Sequence, residues 1–94
     1  MTSKQRAYLR SLASTINPIY QIGKSGVTPE LTKGVDEALE ARELVKINIL
    51  KNCMDDPRQM AEMLAERTGS QVVQIIGRKI VLFRQSEKSP KIKI

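Results

Sequence analysis

Three observations predict a single small α/β domain, with a four-stranded mixed sheet packed against helices. Ninety-four residues supply one hydrophobic core and no material for a second. Three stretches repeat apolar residues at helical spacing and four short stretches are rich in β-branched residues, in the order α-β-α-β-α-β-β. Two strand, helix, strand units in that order need right-handed crossovers, which lay amphipathic helices on the sheet. Only two residues join the last two strands, so that pair is antiparallel.

The first helix spans residues 3–14, because Leu9, Leu12, Ala13 and Ile16 recur at helical spacing, with Ser3 as the expected N-cap. Asn17-Pro18 ends it, and a short strand follows over Ile19 to Ile22. Gly23-Lys24-Ser25-Gly26 is then a turn. Thr28-Pro29-Glu30 opens the second helix with a capping hydroxyl, a proline at the first helical position and an early carboxylate. Leu31, Val35, Ala38 and Leu39 form its buried stripe, which runs to about Arg42. Leu44 to Leu50 reads as a strand, with Val45, Ile47 and Ile49 on one face and Lys46 and Asn48 on the other. Asp56-Pro57-Arg58-Gln59 has the form of a capping box for a third helix, striped by Met60, Ala61, Leu64 and Ala65 and closed by Gly69. Val72 to Ile76 and Lys79 to Phe83 make the final hairpin around Gly77-Arg78. Residues 85–94 are polar and basic, and the expectation is a disordered tail after a domain at 1–84.

Composition narrows function mainly by exclusion. No apolar run approaches a membrane span, and Met1 is followed by polar residues rather than a secretion signal. Cys53 stands alone, which rules out an internal disulfide and fits a reducing compartment, so a cytoplasmic location is expected. With no histidine, no cysteine paired to a base and no Walker, zinc or calcium motif, no catalytic residue, metal, cofactor or small-molecule substrate is expected. The net charge of +6 points to a polyanionic partner. Residues 11–83 are balanced, so the surplus lies at the ends, on Lys4, Arg6 and Arg10 and on Arg84, Lys88, Lys91 and Lys93.

The candidate site is the turn Gly23-Lys24-Ser25-Gly26. It stands between a strand and a helix N-terminus, where unpaired amides and the helix dipole favour an anion. Glycines let a phosphate approach, Lys24 adds charge and Ser25 a hydroxyl. A GxxG spacing alone is a weak signal, but loops of this kind clamp nucleic-acid backbones in KH domains. Tyr8, Tyr20 and Phe83 are the only aromatics and each lies in an apolar segment, so base stacking is not the expected main mode and contacts should go to phosphate and sugar.

The segments Lys4 to Ala13, Pro18 to Thr28 and Ala41 to Ile47, with Gly69, Val73 to Gly77 and Ile80 to Arg84, resemble the stand-alone bacterial CRM-domain proteins of the YhbY type. The likeness covers residues 3 to about 84. It implies a CRM fold similar to the C-terminal domain of translation initiation factor three, and binding to ribosomal RNA in precursors of the large subunit. By position it makes Gly23, Lys24, Ser25 and Gly26 the RNA-contacting loop, puts Lys4, Arg6 and Arg10 on a basic first helix, and matches Arg42 and Lys46. Gln21 departs from the family, which usually has an apolar or small residue there. Two other classes stay open: a basic DNA-binding or nucleoid protein, and an adaptor that docks a helix on a ribosomal protein.

Overall fold

A computed structural model describes residues 1–94. The elements are α1 (Ser3–Ala13), β1 (Tyr20–Ile22), α2 (Pro29–Arg42), β2 (Leu44–Ile49), α3 (Pro57–Thr68), β3 (Gln71–Ile76) and β4 (Lys79–Phe83). The predicted order is found, and most bounds fall within a residue or two of the expected ones. The cap of α1 is Thr2 rather than Ser3. The Thr2 hydroxyl accepts the Gln5 N–H at 3.0 Å while the Gln5 side chain accepts the Thr2 N–H at 2.9 Å. A capping residue must be extended, and Ser3 already belongs to the helix. Thr28 and Asp56 cap as expected, accepting from Leu31 and Gln59, although the Gln59 side chain returns no bond to the Asp56 N–H and the capping box is only half formed.

The sheet order is β1-β2-β4-β3. β1 pairs parallel with β2, and β4 lies antiparallel between β2 and β3. The β2–α3–β3 crossover therefore steps over a place that the hairpin then fills. Each face of the sheet has its own apolar cluster. Val45, Ile47, Ile49, Ile80 and Leu82 meet the stripes of α2 and α3 on one face. Leu44, Val73, Val81 and Phe83 meet Leu9 and Ala13 of α1 on the other. The result is three layers, one helix, the sheet and two helices. A bulge lies between Val72 and Gln74, and the Arg6 guanidinium donates into it, to Val72 O at 2.6 Å and Val73 O at 3.1 Å.

The segment 85–94 forms no helix or strand, but it is not the free tail expected. Glu43 holds it. This residue alone turns the chain from α2 into β2, in the left-handed region at φ 68°, which strains a side chain with a Cβ. Its buried carboxylate accepts the backbone N–H groups of Ser86 at 2.8 Å, Lys91 at 2.7 Å and Ile92 at 2.6 Å. Glu40 takes the Ser86 hydroxyl and the N–H groups of Glu87 and Lys88. Ile92 packs against the α1 cluster. The polar, basic composition of the tail gives no sign of this anchor. A buried carboxylate collecting backbone donors supplies what hydrophobic burial does not.

Burial alone raises the pKa of Glu43, but the N–H groups of Ser86, Ile92 and Lys91, helped by the Lys91 charge, outweigh it and hold the carboxyl below its ordinary value of 4.5. A depressed carboxylate contributes stability that is present above the ordinary value and lost as pH falls through the folded one. Amide exchange should therefore show Ser86, Lys91 and Ile92 protected at neutral pH and released only when pH drops below about 4.5. Glu43→Ala should release them at neutral pH and cost about 1–3 kcal/mol. Protection that survives this substitution would show that the carboxylate does not hold the segment.

Candidate nucleic-acid interface

Because β1 and β2 run parallel, the loops that follow them, residues 23–28 and 50–56, leave the sheet at the same end. Gly23-Lys24-Ser25-Gly26 is a tight turn closed by the Gly26 N–H donating to Gly23 O at 3.0 Å. Lys24 and Ser25 stand exposed at its tip, and Lys24 has no ion-pair partner. The backbone N–H groups of Lys24, Ser25, Val27 and Thr28 find no acceptor in the chain. Thr28 satisfies Leu31 at the start of α2, Pro29 has no N–H, and Glu30 is left with a free one. A run of open amides beside an unpaired lysine at a helix N-terminus is suited to an anion.

The two glycines of the turn serve different needs. Gly26 lies at φ 69°, which favours glycine on conformation alone, and a Cβ there would meet Asp55 Oδ2 at 2.6 Å. Gly23 has ordinary negative φ. A Cβ on it would meet Leu50 and Asn52 only at 3.6 and 3.9 Å, normal van der Waals distances. Nothing within the chain requires glycine at position 23.

The neighbouring loop forms the wall of the site. Arg78 of the hairpin fastens it, donating from Nε to Ile49 O at 3.1 Å and from Nη2 to Leu50 O at 2.5 Å and Cys53 O at 2.9 Å. Lys51 and Asn52 are exposed there. Asp55 brings a carboxylate against Gly26 and so opposes the binding of an anion. None of Lys51, Asn52, Asp55 and Arg78 was expected at this site from the sequence. The available signal was topological, since two consecutive strand-helix loops of parallel strands emerge side by side.

The other predicted residues lie elsewhere. Arg42 is exposed in the last turn of α2, a helix length of about 20 Å from the loop. Lys46 is half-buried on β2, and the two share a groove with the end of α1. Lys4 and Arg10 are exposed on α1, while the Arg6 guanidinium is engaged by the bulge. Lys4 and Tyr8 meet Lys93 and Ile94, so the basic ends of the sequence adjoin in space. Of the aromatics, Phe83 is buried, Tyr20 lies against Gly34 of α2, and Tyr8 is 47% exposed rather than part of the core. No group of side chains could hold a metal ion, and no helix is long and apolar enough to cross a membrane.

Residues 1–84 match the CRS1/YhbY (CRM) domain family. A Bacillus subtilis protein named "Probable RNA-binding protein YqeI" is 45% identical, over 100% of this chain and 98% of its own length. A Methanocaldococcus jannaschii protein, "Probable RNA-binding protein MJ0652", is 33% identical over 100% of this chain and 76% of its own. The solution structure of a Staphylococcus aureus protein, described as a candidate RNA-binding protein, superposes with a TM-score of 0.84 at 47% identity, over 100% of this chain and 98% of that one.

The contrast between the glycines can be measured by thermal or urea unfolding. Gly26→Ala should cost about 1–2 kcal/mol, because its φ is left-handed. Gly23→Ala should be neutral or stabilising by up to about 1 kcal/mol. Equal losses at both positions would mean that the turn itself needs both glycines.

Proposed function

Because the chain belongs to the CRS1/YhbY (CRM) domain family, we propose that it is an RNA-binding protein that holds the phosphate backbone of structured RNA at Gly23, Lys24, Ser25 and Gly26. The open N–H groups of Lys24, Ser25, Val27 and Thr28 would donate to phosphate oxygens, the Lys24 ammonium would supply charge, and Gly23 would let the backbone approach. Lys51 extends this contact along the neighbouring loop. Arg42 and Lys46 in their shared groove form a second station for the same strand or helix, Lys4 and Arg10 add exposed positive charge on α1, and Arg6 acts by fixing α1 to the sheet. The names of the relatives support RNA as the partner, and likeness to the YhbY type supports ribosomal RNA in assembly of the large subunit. The observation that carries the reading is Gly23, the one residue of the turn whose lack of a side chain has no use inside the protein.

Replacing Lys24 and Ser25 together by Asp tests it. Both glycines remain, so the turn can form and stability should change by less than about 1 kcal/mol. One cation is removed and two anions are placed where phosphate must come, so affinity for a structured RNA should fall roughly 10- to 100-fold. With about four phosphates neutralised in the native protein, a fourfold rise in salt should weaken its binding about 50-fold. The control changes Lys88, Lys91 and Lys93 to Ser. If the loop variant binds normally while the control fails, the contact surface is the C-terminal segment and the assignment to the loop is wrong.

A further inference from the structure

A groove of about 580 Å³ opens where α1 ends, β1 and β2 begin and α2 stops. Its walls are apolar, from Leu12, Ile16, Ile19 and Leu44, with Ile92 of the C-terminal segment closing one side. Arg42 and Lys46 stand at it, and no acidic side chain lines it or pairs with either cation. Ile19 remains 39% exposed, so apolar surface is open to solvent here. The groove is also part of a built wall, because Ile92 is held in place by its N–H bond to the Glu43 carboxylate at 2.6 Å.

An apolar cleft with two unpaired cations is complementary to a group that is flat and apolar at one end and anionic at the other. A nucleotide fits this description, since a base can lie on aliphatic side chains and on the plane of an arginine while its phosphate takes the ammonium. The volume lies within the range of clefts that enclose small organic ligands. Position argues the same way. β1 is the edge strand of the sheet, and it leads directly from Ile19 at the groove to Gly23 at the loop. Those four steps of strand span roughly 13 Å, a distance that an RNA strand crosses in about two to four nucleotides. The exposed Asn17 also lines the groove, with side-chain donors and acceptors unused within the chain and able to meet the edge of a base.

We propose that this groove is a second subsite of the same interface, receiving one unpaired base from a single-stranded extension of the RNA whose backbone is held at the Gly23–Gly26 turn. It rests on the RNA-binding reading and deepens it: the protein recognises a junction between helical and unpaired RNA rather than a helix alone. Arg42 and Lys46 then act on the extension, which explains why the fold places them so far from the loop. The latched C-terminal segment becomes a component of the site, because without Ile92 the groove loses a wall.

The test compares a bare RNA stem with the same stem carrying a five-nucleotide single-stranded extension, in fluorescence anisotropy at fixed salt. The full chain should bind the extended RNA about tenfold more tightly, as expected for seating one base, and one abasic position in the extension should remove most of that gain. Ile19→Ser and Ile92→Ser, with folding checked by circular dichroism, should each reduce the ratio of the two affinities toward one and make the abasic position silent. A ratio near one for the native chain overturns the subsite while leaving the loop reading intact. An abasic penalty as large in both variants as in the native chain also overturns it. Groove variants that lose association with ribosomal particles without changing the RNA ratio would assign the groove to a protein segment instead. If the native chain binds neither RNA, the RNA-binding reading fails first and the subsite with it.

Discussion

Everything in the candidate interface depends on the parallel pairing of β1 with β2. Tyr20, Gln21 and Ile22 face Ile47, Asn48 and Ile49, so both strands end together and both hand the chain to a helix at the same end of the sheet. Right-handed crossovers in a constant direction put α2 and α3 on one face. The other face is left to α1, which covers Leu44, Val73, Val81 and Phe83. The row Gln21, Asn48, Lys79 and Ile76 belongs to that face and runs across all four strands beyond the α1 cluster, with Ile76 58% exposed. The loop of open amides is thus continuous with a partly bare sheet face and with the β1 edge. A long concave partner such as a nucleic-acid strand can use surfaces in this arrangement together.

Three arginines are engaged inside the chain, while several lysines are left free. Arg6, Arg78 and Arg84 each reach two or more acceptors, chiefly backbone carbonyls at places where the regular ladder is interrupted or ends. A planar guanidinium with several donors suits that task. Lys24, Lys51 and Lys4 stay exposed and free of ion pairs, available to phosphate.

The fold was largely legible because its signals are local. Helical spacing, the proline and hydroxyl at Thr28-Pro29, Gly69 at φ 66° and the two-residue hairpin each specify one element without reference to the rest. What escaped was non-local. The bulge at Val73 and its Arg6 partner are separated by most of the chain, and so are Glu43 and Ile92. A strained glutamate between helix and strand looks in sequence like an ordinary surface carboxylate. Its burial and its left-handed backbone become visible only when the C-terminal segment arrives to donate to it. The loop Gly23–Gly26 could be located from spacing and context, but its wall could not. Cys53, Met54 and Asp55 carry no motif, and their neighbourhood follows from strand order.

The proposed RNA site lies at the end of the sheet where the β1 and β2 loops emerge. It is tested most directly by following backbone amide resonances while a structured RNA is added. Lys24, Ser25, Val27, Thr28 and Glu30 should shift first and furthest, with Lys51 and Asn52 beside them, because these amides and side chains are left open. Shifts concentrated on the exposed faces of α2 and α3, with residues 23–30 unmoved at saturation, would contradict it.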